Sequence, residues 1–116
     1  MSLPLDLHPS PDALRLIGLI SSARVDLSTE FAAQTGLARL FEAERVPYEA
    51  EVVLSAADRI DFLIGRVGVE VKIGQPRRQI LRQLERYAGS DRLDELLLVS
   101  SAPFPSEGFR AHGKPV

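Results

Sequence analysis

The chain has 116 residues, 45 % of them apolar, and a formal net charge of −2. That size and composition describe one globular domain able to bury a core. They leave no apolar run long enough to span a membrane, and no overall basic charge of the kind that marks a nucleic-acid binder. With no cysteine, disulfides and thiolate metal sites are excluded, and a cytoplasmic setting is the expectation. His8 and His112 stand in the two tails, which argues against a histidine zinc site or a Ser-His-Asp triad in the body of the domain. Met1 to Ser10 lacks the basic-then-apolar order of a secretory signal.

In chain order, Pro4, Pro9 and Pro11 mark an extended lead-in. Proline suits a first helical turn, so a helix is expected over about Pro11 to Ser21, with Leu14, Ile17, Gly18 and Ser21 on one face. Ser28 is the expected N-cap of a second helix reaching about Arg45, with Phe31, Leu37, Ala38, Leu40 and Phe41 as its apolar face. Val46-Pro47 ends it. Three strands are expected next: Tyr48 to Ser55, Arg59 to Ile64 and Val67 to Ile73, with turns at Ala56-Ala57-Asp58 and Gly65-Arg66. Gly74-Gln75-Pro76 breaks the pattern and opens a third helix, which stops at Gly89. The apolar run within Glu95 to Ser100 reads as a buried strand. Residues 102–116 are rich in Pro and Gly, and Lys114-Pro115-Val116 is a candidate edge strand. The order α-α-β-β-β-α-β predicts an α/β domain, a central mixed sheet flanked by helices.

The segment Arg59 to Ile73 carries the chemistry. A two-residue turn with glycine first is the type II′ hairpin preference. It would pair Ile64 with Val67, Phe62 with Val69 and Ile60 with Val71, and would set Asp61 directly opposite Glu70. Facing carboxylates repel, and a hard divalent cation, Mg²⁺ or Mn²⁺, would relieve them. Lys72 shares the face of Glu70. Its ammonium suits a role beside an attacking water or a phosphate. A solvated polar hairpin face is the alternative reading of the same residues.

Asp61, followed by Glu70-Val71-Lys72, resembles the D…(D/E)xK signature of the PD-(D/E)xK nucleases, the group holding restriction endonucleases, Holliday-junction resolvases and RecB-type exonucleases. The resemblance spans residues 28–100 in the order helix, three strands, helix, strand. It implies a restriction-endonuclease-like αβββαβ core with an extra N-terminal helix, in a single domain over residues 1–116. It also implies metal-dependent hydrolysis of DNA phosphodiesters, in repair, recombination, restriction or phage replication. By resemblance, Asp61, Glu70 and the Val71 carbonyl hold Mg²⁺ (Mn²⁺ as substitute), and Lys72 is the catalytic lysine. Glu30 is the best match to an extra acidic ligand on the first core helix, ahead of Glu42 and Glu44. Gln83 and Tyr87 match the QxxxY pattern of RecB-like members, which places them on one helix face toward the metal or DNA. The proline that conventionally precedes the catalytic Asp is absent: Arg59-Ile60 stands there.

Arg78, Arg82 and Arg86 recur every fourth residue and form a basic stripe suited to phosphate contact, with Arg59 and Arg66 as further candidates. A homodimer is one expectation for the assembly, with the segment around Phe104 and Phe109 either packing at its interface or capping the core. The rival functional expectation is a catalytically inactive module of the same fold that binds nucleic acid or a protein partner.

Overall fold

The structure, a computed structural model, describes residues 10–101, 110–111 and 114–115. Phe104, Phe109, His8 and His112 lie outside the described residues. Three helices, α1 (Pro11–Ser22), α2 (Glu30–Ala43) and α3 (Arg77–Ala88), accompany four main strands, β1 (Glu49–Val53), β2 (Arg59–Ile64), β3 (Val67–Lys72) and β4 (Glu95–Ser100). The four strands form one mixed sheet in the order β1-β2-β3-β4, antiparallel except for the parallel pair β3–β4. The domain is therefore α/β, with α3 as the crossover that joins the two parallel strands. Among the described residues, two short strands, β5 (Arg110–Ala111) and β6 (Lys114–Pro115), pair with each other in a separate two-stranded sheet. Among the described residues no helix is long and apolar enough to cross a membrane.

Local chemistry sets the helix ends. Ser10 caps α1: its hydroxyl accepts the Ala13 N–H at 3.1 Å, and Pro11 fills the first turn. The same serine is bound to β4. Its N–H donates to Glu95 Oε2 at 2.9 Å and its hydroxyl donates to Glu95 Oε1. The buried Glu95 carboxylate is thus supplied with donors. In α2 the cap is Thr29, not Ser28. Thr29 Oγ1 accepts the Ala32 N–H at 3.0 Å, while Ser28 N–H is held outside the helix by Asp26 Oδ1 at 2.9 Å.

The two sheet faces bury separate cores. Leu16 of α1 and Ala33, Leu37 and Phe41 of α2 pack with Phe62, Val67, Val69 and Val71. Across the sheet, Ile80, Leu84, Tyr87 and Ala88 of α3 pack with Val52, Ile60, Leu63, Leu93 and Leu96. The expected face of α1 is corrected, and that of α2 holds at Leu37, Ala38, Leu40 and Phe41 but not at Phe31. In α1 the buried residues are Ala13 and Leu16, with Leu14 and Ile17 left exposed. In α2, Phe31 is 78 % exposed and the buried row is Ala33, Leu37, Phe41. Each true row follows the 3.6-residue period as well as the expected one. Only the neighbouring elements choose between them.

The hairpin turn is as the sequence requires. Gly65 has φ +60° and Ile64 pairs with Val67, a two-residue turn with the positive φ at its first residue. The pairing continues through Leu63↔Gly68 and Phe62↔Val69. Beyond that point the expected alternation fails. Phe62 and Ile64 belong to the α2-side core, yet Ile60 packs on the α3 side with Leu63. β1 changes face at the same level: Tyr48 packs on the α2 side and Val52 on the α3 side. Glu51, between them, has φ +52°. Both strands thus shift phase at Glu51 and Asp61, in the manner of a bulge that re-aims side chains. The expected Ile60–Val71 pair is therefore not formed. β1 is also an outer strand of the sheet, with Glu49, Ala50, Glu51 and Val53 exposed.

Gly68 is the counterpart of this shift. A Cβ there would collide with Ile60 Cδ1 and stand 3.1 Å from both Leu93 Cδ2 and Leu96 Cδ2. Gly68→Ala is expected to destabilise the domain by about 1–3 kcal/mol through overpacking. Urea denaturation measures this, and an unchanged midpoint would refute the placement of Ile60.

Candidate active site

The phase shift ends the β2–β3 ladder where the site begins. Beyond Phe62↔Val69, the Asp61 side chain takes over: its Oδ2 accepts the Val71 N–H at 2.8 Å. In return the Asp61 N–H donates to Glu70 Oε1 at 3.1 Å. Asp61 and Glu70 are thus neighbours through side chain-to-backbone bonds, rather than the directly opposed pair expected from an unbroken ladder. N–H and C=O of one strand residue point to the same side, so the Val71 carbonyl faces Asp61 as its N–H does.

Two helices reach the pair from opposite faces of the sheet. From α2, Gln34 Nε2 donates to Asp61 Oδ1 at 3.0 Å. From α3, the Tyr87 hydroxyl donates to Glu70 Oε2 at 3.1 Å. Lys72, two residues along β3 from Glu70 and on the same face, places Nζ 3.1 Å from Glu70 Oε2. Glu70 and Lys72 are both buried.

Burial dominates the electrostatics. It pushes the Glu70 carboxyl up to about 7; the Asp61 charge adds to the rise and Lys72 opposes it. Burial also raises Asp61, against the lowering effect of the Val71 N–H. The Tyr87 phenol is pushed well above its usual range by burial and by Glu70, so it remains a donor at neutral pH. Two desolvated carboxylates facing a single ammonium leave the site short of positive charge. The donors are hard oxygens, the chemistry that Mg²⁺ or Mn²⁺ selects. These residues fit a divalent cation.

The other sequence candidates fall into distinct groups. Glu30 is engaged at the end of β3, where its Oε2 accepts the Ile73 N–H at 3.1 Å and Gln75 Nε2 at 2.8 Å. It does not join Asp61 and Glu70 in a common cluster. Among the described residues, no three His, Cys, Asp or Glu side chains gather into a metal-sized group. Glu42 accepts the Tyr48 hydroxyl at 2.6 Å, outside the site. Gln83 lies one turn before Tyr87 on α3, and its buried Oε1 has no hydrogen-bond partner among the described residues. A buried carbonyl oxygen without a donor is costly, and it marks a place for an incoming hydrogen-bond donor.

The arginines divide as well. Arg86 is committed to Asp58, with Nε 3.0 Å and Nη2 2.9 Å from Oδ1. Arg66 is clamped by both Asp94 oxygens, at 2.8 and 3.0 Å, and by the Asp91 carbonyl at 2.6 Å. It sits on the hairpin turn, roughly 20 Å along β3 from Lys72 at strand spacing. Both are thus engaged by acids or a carbonyl of the chain itself. Arg59, Arg78 and Arg82 remain exposed. Sequence reading did not assign Gln34 or Gln75 a role. The signal was limited to Gln34 standing one helical turn after Glu30. Compared with known protein families, curated proteins and solved structures, the chain matches none.

Proposed function

We propose that this protein is a Mg²⁺-dependent deoxyribonuclease of the PD-(D/E)xK type, with α2-β1-β2-β3-α3-β4 as its restriction-endonuclease-like core. The observation that carries the reading is the meeting of Asp61, Glu70 and Lys72 where the β2–β3 ladder opens. A buried acid pair with one lysine at an irregular strand end has no evident structural purpose, since an apolar trio would fill the space at less cost.

Asp61, Glu70 and the Val71 carbonyl are the groups that would hold the cation, whose positive charge would polarise a bound phosphodiester and acidify a water. The remaining work falls to the chain itself. Val71 N–H and Gln34 fix the two oxygens of Asp61. Asp61 N–H and Tyr87 fix the two oxygens of Glu70. Such preorganisation places negative charge without reorganisation during the reaction. The Lys72 ammonium orients the attacking water and offsets charge that grows on the phosphate oxygens. Gln83 Oε1 accepts a donor from the bound nucleic acid. Arg78 and Arg82, exposed on α3, contact backbone phosphates, and their contribution weakens as salt rises.

A second reading is favoured by one observation. Each of the four carboxylate oxygens already accepts a donor from within the chain, as in a site retained for structure in a binding module. The deciding experiment is cleavage of supercoiled plasmid and of linear and branched DNA with Mg²⁺, Mn²⁺ or EDTA, for wild type and Asp61→Asn. Cutting with metal by wild type alone supports the nuclease. DNA binding by both proteins without cutting by either gives the module.

A further inference from the structure

The α2 side of the acid pair carries an amide where a second metal ion would need a carboxylate. Gln34 Nε2 donates to Asp61 Oδ1 at 3.0 Å, so it occupies that oxygen as a neutral donor. The acid one turn earlier, Glu30, is held at the chain leaving β3 by Ile73 N–H and Gln75. On the other side of the pair, Lys72 Nζ stands 3.1 Å from Glu70 Oε2. Paired ions in phosphoryl chemistry lie about 3.5–4 Å apart and need a bridging carboxylate with further anionic ligands to contain their charge.

Here the charge count is small. With both acids ionised, as ligation of a cation requires, two carboxylates against one ammonium leave a single negative charge. One divalent cation turns that into a single positive charge, which one phosphodiester neutralises. A second would leave a surplus, while the acids of α2 are held elsewhere, Glu30 by Ile73 N–H and Gln75 and Glu42 by the Tyr48 hydroxyl. Mg²⁺ is content with one or two carboxylates, retained waters and a substrate phosphate, so one ion is adequately held.

We infer that the site takes one divalent cation per chain and that Gln34 sets this number. This inference rests on the nuclease reading above. Lys72 then stands in for the positive charge that a second ion would supply, and Gln34 acts as a positioning residue through Asp61.

The test counts Mn²⁺ bound to the metal-free full chain, by electron paramagnetic resonance of free Mn²⁺ and by calorimetry, without DNA. Wild type is expected to bind about one ion. Gln34→Glu is expected to bind about two. Gln34→Ala is expected to keep one, with affinity about 10–100-fold weaker because Asp61 loses its holder. Glu30→Gln is expected to keep one at near wild-type affinity. Two ions on wild type would overturn the inference and leave the nuclease reading intact. A folded Gln34→Glu protein that stays at one ion, or loss of the ion in Glu30→Gln, would overturn it equally. No Mn²⁺ binding by wild type removes the nuclease reading itself. If Gln34→Glu fails to fold, the wild-type count and Glu30→Gln still decide.

Discussion

Lys72→Ala is expected to lower metal-dependent DNA cleavage by roughly 10²–10⁴-fold, the range for loss of one positioned electrostatic or acid–base group. DNA binding should change little by comparison. Lys72 is buried and its ammonium is aimed at Glu70. Its backbone pairs with Ser100 of β4, and the ladder does not need the lysine side chain, so the strand persists in the variant. Lys72→Arg is a sharper probe. The charge is retained, but a planar fork replaces a compact ammonium in a buried slot, and most of the activity should still be lost. Single-turnover cleavage under saturating protein, with anisotropy for binding, separates the two effects. A Lys72→Ala protein that cuts at the wild-type rate would remove Lys72 from the chemistry.

The second large effect concerns stability and has a definite sign. Glu70 rises from an ordinary 4.5 to about 7 in the folded protein, chiefly through burial. The folded state therefore holds this proton more tightly than the unfolded chain does. Its contribution is fully present below about 4.5 and is lost as pH rises toward and through about 7. Asp61 shifts in the same direction. The loss for Glu70 is on the order of 3 kcal/mol, which corresponds to roughly 10 °C in Tm for a domain near this size. Thermal unfolding in EDTA should give a lower Tm at pH 8 than at pH 5. Glu70→Gln should flatten that difference, because a neutral amide has no charge to desolvate. Excess Mg²⁺ at pH 8 should recover wild type and not Glu70→Gln. A metal-free Tm that climbs from pH 5 to pH 8 would contradict the placement of Glu70.

Much of the sheet was legible because its signals are local. Glycine at the first turn position fixed the Ile64–Val67 pairing. The bounds of β2 and β4 coincide with the expected runs Arg59 to Ile64 and Glu95 to Ser100. What the sequence did not reveal depends on partners distant in the chain. α1 offers two apolar rows, and the choice of Ala13 and Leu16 over Leu14 and Ile17 is made by the sheet beneath. Ile60 reads as the alternation partner of Phe62. Only the phase shift at Asp61, matched in β1 at Glu51, sends it to the other face. In the site, strand spacing sets Lys72 beside Glu70, whereas Asp61 meets Glu70 through the phase shift and its side chain-to-backbone bonds. The ion pairs of Arg66 and Arg86 were not legible, for the opposite reason. Their acids, Asp94 and Asp58, each lie 28 residues away, beyond the reach of any helical or strand period.

The kink at Glu51 has a consequence for crowded solution. An outer strand presents free N–H and C=O groups that can template another chain and seed fibres. β1 is such a strand, yet Glu51 at φ +52° breaks the flat row of backbone groups at its centre. A neighbouring strand could pair on one side of Glu51 but would lose register past it, beside an exposed carboxylate. The distortion that accompanies the re-aiming of Asp61 therefore also blunts this edge against cross-β growth, so protection from aggregation and construction of the site share one backbone irregularity.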